Sequence, residues 1–309
     1  MSAEVRKDPI EVIEGSFDPT VGPVHFRGKL IIKGDVPVKS EISSNSSVEV
    51  HGIVDTAIIR AHGDIIIKGG VSGPGYLDAG RDIQVEFVEN STLVSGRNLV
   101  IGMSAIHSQL SAGNKIIVKD EKGVLAGGVA KAGQAIRAAR IGSSLYTRMK
   151  LQVGIQPLLR SEHKRIVDQM TQIEQKHDGI QKNIQYLKRL APDDISPRMA
   201  KRIENLPLMQ LHLKHLSREL MKYTNRDKTL RKAINTKSKP GRIDAIKEIC
   251  PGIMITINWT TLELKEHLEN VTLFEQGGEI GWDALQPEDI NNDESDEECS
   301  GEKLEVEKF

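Results

Sequence analysis

Four segments repeat one pattern: AHGDIII (61–67), AGRDIQV (79–85), SGRNLVI (95–101) and AGNKIIV (112–118), and AGQAIRA (132–138) repeats it a fifth time. In each segment a small residue stands four positions before the first aliphatic residue, and a glycine follows the small residue closely. The segments begin 18, 16, 17 and 20 residues apart, and weaker copies surround Leu30–Ile32 and Val48–Val50. The chain therefore contains about seven copies of a short unit of irregular length.

The alternation within each copy predicts a strand with one buried face, and the glycine is expected to supply the backbone angles of a tight corner. Such a strand cannot bury its face alone, so the copies should stack, with Ile65, Ile83, Leu99, Ile116 and Ile136 in one ladder. We predict a right-handed parallel β-helix over residues 21–157. A left-handed β-helix would need a repeat close to six. A β-sandwich is the remaining alternative, although this region lacks the Asn-Gly and Asp-Gly turns of hairpins.

The composition agrees with an aliphatic stack inside a reducing compartment. The chain has 309 residues, 27 glycines and only 4% aromatic residues. Cys250 and Cys299 lie far apart, with no spacing typical of a metal or redox site. Residues 1–20 carry charges where a signal peptide needs an apolar core, and no apolar run reaches the ~20 residues that span a bilayer. We expect a cytoplasmic protein without a transmembrane segment, in which residues 1–20 form a linker.

The period changes from two to seven after Pro157, which predicts two long helices within residues 158–240. The first helix, over about 158–190, places Leu159, His163, Ile166, Met170, Ile173, His177, Ile180, Ile184 and Leu187 on one seam. The second, ending near Asn235, places Met209, Leu213, Leu216, Leu220, Tyr223, Asp227, Leu230 and Ile234 on another. Ala191-Pro192 should end the first helix, and Ser196-Pro197 should begin a short helix that Pro207 kinks or stops. Together these features predict a long antiparallel coiled-coil hairpin.

The two seams agree on a register in which facing residue numbers sum to 400, so that Leu187 faces Leu213. In the same register His177 faces Tyr223, and Asp227 lies in the adjacent layer of the seam. These three residues form the one candidate site of the hairpin, a polar layer that is sensitive to pH or fixes the register. The alternative is that one or more of them rotate to the solvated edge.

Aliphatic alternation returns in residues 241–285, which we interpret as strands that resume or cap the β-helix. Residues 286–309 lack an apolar period and contain 10 acidic against 2 basic residues, which predicts a disordered acidic tail. Residues 158–240 contain 19 basic against 9 acidic residues, a net charge of +10. The net charge of −1 for the whole chain therefore conceals a basic hairpin and an acidic end.

Few residues could support catalysis. The plausible ones on the solenoid wall are His62, Asp64, Asp78, Arg81, Asp82 and His107. Asp64 and Asp82 occupy equivalent places in successive copies, and we interpret them as turn residues because no carboxylate ladder continues. The chain has no nucleophile elbow, P-loop or zinc-protease motif, so we predict no catalytic, cofactor-binding or metal-binding residues. The basic hairpin has only Tyr186 and Tyr223 as aromatic residues and offers no stacking platform for nucleic acid.

Several segments together resemble the flagellar assembly protein A (FapA) family. They are IHSQLSAGNKI (106–116), GVLAGG (123–128), AGQAI (132–136), IGS (141–143), VG (153–154) and CPGI (250–253). The resemblance covers nearly all of residues 15–285. It implies a right-handed β-helix, a cytoplasmic and polar location and a part in flagellar assembly. It also implies a phosphotransferase-system regulatory protein as a partner of some members, and no catalytic residues. We expect a short member of the family, without the separate N-terminal region of its longer members.

These observations favour a non-enzymatic scaffold that binds protein partners through the hairpin or the solenoid wall. The alternative function is a β-helix that binds or cleaves polysaccharides, because the same architecture occurs in enzymes acting on acidic glycans. Association of two copies through the solenoid ends or the hairpin remains open, since an uncapped end exposes unpaired backbone groups.

Overall fold

The computed structural model describes residues 9–145, 147–189, 197–237 and 240–286. The chain divides into two compact units. One comprises residues 1–157 and 239–309, and the other comprises residues 158–238. The second unit is thus an insertion in the sequence of the first. Of the segments discussed above, Ala191-Pro192, Ser196 and nearly all of the acidic tail lie outside the described residues.

The first unit is a β-solenoid of about eight turns. Its stacked strands are β1 (Ile10–Ile13), β2 (Val24–Phe26), β3 (Lys29–Ile32), β4 (Glu41–Ser44), β5 (Val48–Val50), β6 (Val54–Asp55), β7 (Ile58–Ala61), β8 (Ile65–Ser72), β9 (Tyr76–Ala79), β10 (Ile83–Glu89), β11 (Thr92–Ser95), β12 (Leu99–Ala112), β13 (Lys115–Val118), β14 (Val124–Ala132), β15 (Ala135–Ile141), β16 (Met149–Val153), β17 (Arg242–Ile249) and β18 (Ile253–Ile257). Three further strands follow: β19 (Thr260–Leu264), β20 (Leu268–Gln276) and β21 (Glu279–Ala284).

The predicted ladder is confirmed residue by residue. Ile83 pairs with Ile65 on one side and with Leu99 on the other, and the ladder continues through Ile116 to Ile136. Leu30 and Val48, from the two weaker copies, extend the ladder at its beginning. All of these side chains are fully buried, as expected if each coil buries the face of the next.

Two further ladders complete the interior, so that each coil has three sides. One consists of Ile42, Ile59, Leu77, Leu93, Leu110, Ala130, Leu151 and Ile255. The other consists of Val36, Val54, Val71, Val88, Ala105, Leu125, Ile141 and Ile249. The core is therefore aliphatic along its whole length, because every ladder position in the stack is buried.

The repeat glycines have a different role from the one predicted. Gly80, Gly96, Gly113 and Gly133 do not adopt left-handed backbone angles. A Cβ on any of them would collide with a carbonyl oxygen of the preceding coil. The corner is thus restricted to glycine because stacked coils approach closely there, and not because the corner itself needs positive φ.

The solenoid begins earlier than the predicted linker boundary. β1 lies inside residues 1–20 and pairs in parallel with β3. Phe17, in the same segment, is buried in the core. The alternation of β1 is hard to recognise because Ile10 and Val12 remain 64% and 44% exposed, as expected for a strand at the end of a stack.

The stack continues across the insertion without losing its register. Ile243 of β17 pairs with Ile136 of β15, although 107 positions separate them in the sequence. A Cβ on Gly241 would lie only 2.7 Å from the Cα of Gly154, so the backbones before and after the insertion are in contact. The solenoid therefore resumes where it was interrupted.

A buried ion pair marks the coil where the stack resumes. Asp244 of β17 is fully buried, and its Oδ2 lies 3.1 Å from a terminal nitrogen of Arg137 and 3.3 Å from Nε of Arg242. Thr272 of β20 donates its hydroxyl hydrogen bond to the other carboxylate oxygen. Asp244 thus joins the coil before the insertion to a strand that follows it.

The last coil is covered by antiparallel strands. β19 pairs with β18, β20 pairs with β17, and β21 pairs with β20, all in antiparallel orientation. The strands of residues 241–285 therefore divide into two groups: β17 and β18 resume the stack, whereas β19, β20 and β21 end it. Such an end protects the last parallel strands from pairing with another chain.

The second unit is helical. It contains α1 (Pro157–Arg189), α2 (Pro197–Glu204) and α3 (Leu206–Lys237). Pro157 and Pro197 begin their helices and Pro207 lies in the first turn of α3, where a missing backbone N–H costs nothing. The short helix ends before Pro207, as predicted. All seventeen seam residues are buried or half-buried, and Ile166, Ile184, Leu187, Leu216 and Ile234 are the most buried of them.

Candidate functional sites

The acidic residues of the solenoid corners serve the backbone. The Oδ1 atom of Asp64 accepts a hydrogen bond from the backbone N–H of Asp82 at 3.1 Å, and Oδ2 is 2.7 Å from Arg81. Asp82 in turn accepts one from the backbone N–H of Asn98 at 2.9 Å. Each carboxylate therefore satisfies a donor of the next coil, which agrees with their interpretation as turn residues.

The remaining wall candidates have other surroundings than these two carboxylates. His62 is exposed, and Asp78 receives a long hydrogen bond of 3.4 Å from the hydroxyl group of Tyr76. His107 lies in β12 and lines a cavity described below. The structure therefore separates His107 from Asp64 and Asp82, and gives no observation that favours the polysaccharide alternative.

The side-chain contacts between the helices do not follow the predicted register, and the sums of their residue numbers lie 6 to 12 below 400. Side-chain pairs that join α1 to α3 include Glu162 with Arg226, His163 with Asp227, and His177 with Ser217. The numbers of the paired residues sum to 388, 390 and 394 instead of 400. A seven-residue shift returns seam residues to the seam, so the heptad pattern alone cannot distinguish neighbouring registers.

The shifted register assigns new partners to the candidate polar residues. Nε2 of His177 lies 3.2 Å from Oγ of Ser217, whereas Oδ1 of Asp227 lies 3.2 Å from Nε2 of His163. Nε of Arg231 lies 2.8 Å from the other carboxylate oxygen of Asp227. Since His163 and His177 are 14 residues apart on α1, the two contacts are separated by about 21 Å along the helix. Tyr223 is half-buried on α3, and a shared role of His177, Tyr223 and Asp227 stays a prediction.

Sequence reasoning missed a cavity of about 650 Å³ near the C-terminal end of the solenoid. Five separate parts of the chain line it: Ile106 and His107; Val124 and Ala126; Arg140, Gly142 to Leu145 and Thr147; Glu248, Cys250 and Pro251; and His267. The only available signal was indirect, because segments that carry the family resemblance, around 106–108, 141–143 and 250–253, meet at this cavity. Only the stacking of successive coils brings these segments together.

His107 forms part of the cavity wall in an unusual backbone conformation. Its φ is 51°, a left-handed value that non-glycine residues rarely adopt. The next coil places Gly127 and Gly128 there, with φ of 70° and 78°. A Cβ on Gly127 would lie 2.6 Å from Nδ1 of His107, so the glycine leaves room for the imidazole ring. Lys39, Thr56, Gly73 and Asn90 are left-handed at the same corner of earlier coils, so this conformation belongs to the stack as a whole.

An ionic cluster lies on one side of the cavity. Arg140 and Glu248 face each other across β15 and β17, and Nε of Arg140 is 3.3 Å from Oε1 of Glu248. Nε2 of His267 lies 3.6 Å from Glu248 and 3.5 Å from Glu269. Glu248 therefore stands between two basic side chains.

The environment of Cys250 does not activate its thiol as a nucleophile. Burial raises its pKa above the usual value, and the negative charge of Glu248 raises it further, against an opposing effect of Arg140. The protonated thiol is a poor nucleophile and a poor metal ligand. Among the described residues no group of three histidine, cysteine or acidic side chains is arranged to hold a metal ion.

The described helices give no candidate for a membrane span, since none combines sufficient length with sufficient apolar character. The charged residues distributed along α1 and α3 account for this result.

Comparison with known proteins supports the resemblance noted from the sequence. No curated protein and no solved structure matches the chain. The family model described as the Flagellar Assembly Protein A beta solenoid domain matches residues 9–280, which include β1 and every strand of the stack as well as the helical insertion. On the strength of this match and of the stacked fold, the chain belongs to the FapA β-solenoid family.

Proposed function

We propose that this protein is a non-enzymatic cytoplasmic scaffold in flagellar assembly, which presents a helical arm from a β-solenoid to protein partners. The observation that supports it most is the position of the insertion. Residues 158–238 form a unit of their own, while the solenoid ladder passes from Ile136 to Ile243 as if they were absent. The solenoid therefore does not need the helices for its register, and the helices are available for another role.

The arm is proposed to be an antiparallel coiled-coil hairpin. The reduced exposure of all its seam residues supports this packing, and so do the contacts of His163 with Asp227 and His177 with Ser217. We further propose a right-handed solenoid, because parallel strands of one sheet are almost always joined by right-handed crossovers.

Charge suggests the chemistry of the partner. The sequence of residues 158–240 has a net charge of +10, and its lysines are largely on the exposed positions of the helices. An acidic surface on a protein partner would complement this arm and accelerate association. Family resemblance suggests a phosphotransferase-system regulatory protein as one partner to test, and a polar location in the cell.

Deletion of the arm tests the scaffold function. Residues 158–238 are replaced by a short Gly-Ser linker, which the contact between Gly154 and Gly241 allows. The variant should keep its β-sheet circular dichroism and cooperative unfolding. A strain carrying it should lose swimming and flagellar filaments to the same extent as a strain without the gene. Normal filament number with a stably folded deletion variant would contradict the proposal.

Charge reversal gives a finer test with a matched control. Lys214, Lys222 and Lys228 are exposed on α3, and their joint replacement by glutamate should weaken partner binding and swimming. Lys122, Lys150 and Lys247 are also exposed, on the solenoid, and the same triple change there should have little effect. Equal defects in both triple variants would show that overall charge, and not the arm, matters. Sedimentation of each variant would reveal whether a second copy is among the partners.

A further inference from the structure

The cavity near the end of the solenoid has the properties of a small-molecule site. Its volume of about 650 Å³ lies within the range of about 300–1,000 Å³ that is usual for pockets of small ligands. We propose that this cavity binds a small organic anion, with the apolar body of the ligand against the solenoid wall and its carboxylate or phosphate at Arg140. This site goes beyond the scaffold function and is independent of the helical arm.

The apolar part of the site is formed by stacked coils. Ile106 and Val124 come from successive coils, and Ala126 and Pro251 extend the same lining. Ile106 and Ala126 are direct neighbours in the β12–β14 pairing, so this wall is held by backbone hydrogen bonds on both sides. A rigid apolar wall binds the body of a ligand with little loss of conformational freedom in the protein.

The polar part favours negative charge. Arg140, His107 and His267 line the cavity, and Glu248 is the only acidic residue among the described lining residues. Hydroxyl groups of Ser143 and Thr147 add hydrogen-bond donors. Arginine recognises carboxylate and phosphate groups through a planar set of donors, which makes Arg140 the natural anchor.

Glu248 acts as an internal competitor for that anchor. Its carboxylate already lies 3.3 Å from Nε of Arg140 and is only partly shielded, with 34% of its side chain exposed. An incoming anion must share the guanidinium group with Glu248 or displace it. Loss of the Glu248 carboxylate should therefore strengthen ligand binding, whereas loss of the Arg140 guanidinium group should weaken it.

Another part of the cavity wall contains His107. Three left-handed residues, His107, Gly127 and Gly128, occupy two successive coils at this point. The imidazole ring occupies the space that a side chain at residue 127 would fill. The corner is left-handed in earlier coils as well, at Lys39, Thr56, Gly73 and Asn90. The cavity therefore uses a regular corner of the stack and is distinguished by the imidazole ring that it carries there.

Benzoate is a suitable probe because it combines an apolar ring with one carboxylate. Titration of the full-length protein, followed by the backbone amide signals in NMR spectra, should shift residues 141–145 and 248–252. The expected Kd is on the order of 1 mM for a ligand of this size. Benzamide, the neutral analogue, should bind at least about tenfold more weakly because it lacks the charge that pairs with Arg140.

Two cavity variants and one control decide the assignment. Arg140→Gln should weaken benzoate binding about tenfold, and Glu248→Gln should tighten it about threefold or more. Arg97→Gln is the matched control: Arg97 is 48% exposed, against 50% for Arg140, and pairs with Asp82 on the solenoid wall outside the cavity. Its affinity should equal that of the unmodified protein.

The proposal is overturned if benzoate produces no shifts at about 20 mM, a concentration far above the expected Kd. It is also overturned if benzamide binds as tightly as benzoate, or if Arg140→Gln and Arg97→Gln have equal effects. Should Arg140→Gln fail to fold, Glu248→Gln and the benzamide comparison remain, and unchanged benzoate affinity in Glu248→Gln counts against the site.

Discussion

The solenoid and the helical unit both follow a sequence repeat, but the two repeats constrain register very differently. In the solenoid, Ile83 meets Ile65 and Leu99, as its place in the repeat predicts. In the helices, Asp227 meets His163 and not the layer beside His177. If a coil were displaced along the repeat, a residue with a side chain would take the place of a corner glycine. Its Cβ atom would collide with a carbonyl group of the neighbouring coil. A helix displaced by seven residues still buries its seam.

Different kinds of contact fix the structure of the two regions. The solenoid is held by backbone pairing and by buried groups such as Asp244, which is inaccessible to solvent. The helices are joined by seams whose residues are mostly half-buried and by polar pairs at their edges. Substitutions should therefore cost more in the solenoid. Four experiments test this difference and the contacts behind it, from the largest expected effect to the smallest.

The largest effect is expected from Asp244→Ala. The change removes the carboxylate that Arg137, Arg242 and Thr272 share inside the resumed coil. Breaking a buried ion pair in this way costs about 3–5 kcal/mol of unfolding free energy. Asp82→Ala is the control, because Asp82 is 18% exposed and accepts one backbone hydrogen bond, worth about 1 kcal/mol. Similar losses in urea denaturation would contradict a special role for Asp244.

A second test compares one aliphatic position from each repeat. Ile116→Ala in the fully buried ladder should reduce the unfolding free energy by about 2–5 kcal/mol. Ile173→Ala in the half-buried seam of α1 should cost about 1–2 kcal/mol, because less apolar area is lost. Denaturation followed by circular dichroism measures both. A larger loss for Ile173→Ala would reverse the stability order that we infer for the two regions.

The register of the helices can be measured by cross-linking. Cysteines at positions 163 and 227, in a protein whose Cys250 and Cys299 are replaced by serine, should react efficiently with a short bismaleimide. Cysteines at 173 and 227 should react poorly, since positions 163 and 173 are about 15 Å apart along α1. The opposite preference would restore the register that sums to 400. Equal yields would indicate that the helices slide between registers.

The smallest effect concerns an ionic cluster on the solenoid wall. Burial alone would raise the pKa of Glu49, but hydrogen bonds from Lys29, Lys68 and His51 outweigh it and hold the pKa at about 2. A carboxyl group with a lowered pKa stabilises the fold above its unfolded pKa, and this contribution is lost as the pH falls from about 4.5 to about 2.

Glu49→Gln should therefore reduce stability by about 1–2 kcal/mol at pH 7, a value already reduced for solvent screening. The difference from the unmodified protein should decrease as the pH falls from about 4.5 and should vanish below about pH 2. Glu41→Gln provides the comparison, because Glu41 is 42% exposed and pairs only with Arg60 among the ion pairs of the described residues. A pH-independent effect of Glu49→Gln would contradict the assigned cause.

Much of the fold could be predicted because the residues that determine stacking are close together in each repeat of the sequence. Each coil is identified by a few neighbouring positions: a small residue, a glycine and an aliphatic pair. The helix α1 is identified in the same way by the spacing of its seam residues. The first coil escaped notice because β1 buries little of its apolar surface. The role of the glycines was misassigned because the sequence shows where a Cβ is absent but not which atom it would meet.

The candidate sites depend on contacts that no local pattern contains. The polar partners of His177 and Asp227 follow from the helix register, and a heptad repeat leaves that register ambiguous by one period. The cavity combines Ile106, Arg140, Glu248 and His267 from different coils, and Glu248 reaches it only after the whole insertion. Residue types at these positions are ordinary, so nothing in the sequence distinguishes them from surface residues.

The sequence by itself determined that the aliphatic repeats stack, that a heptad segment interrupts them, and which residues form the principal ladder. These features follow from side-chain periodicity, which acts between neighbours in the chain. Only the tertiary structure decided the helix register, the pairing of Arg137 with Asp244 and the cavity around Arg140. Each of these depends on which distant residues become neighbours when the coils close, and that choice is made by packing and backbone pairing across the whole stack.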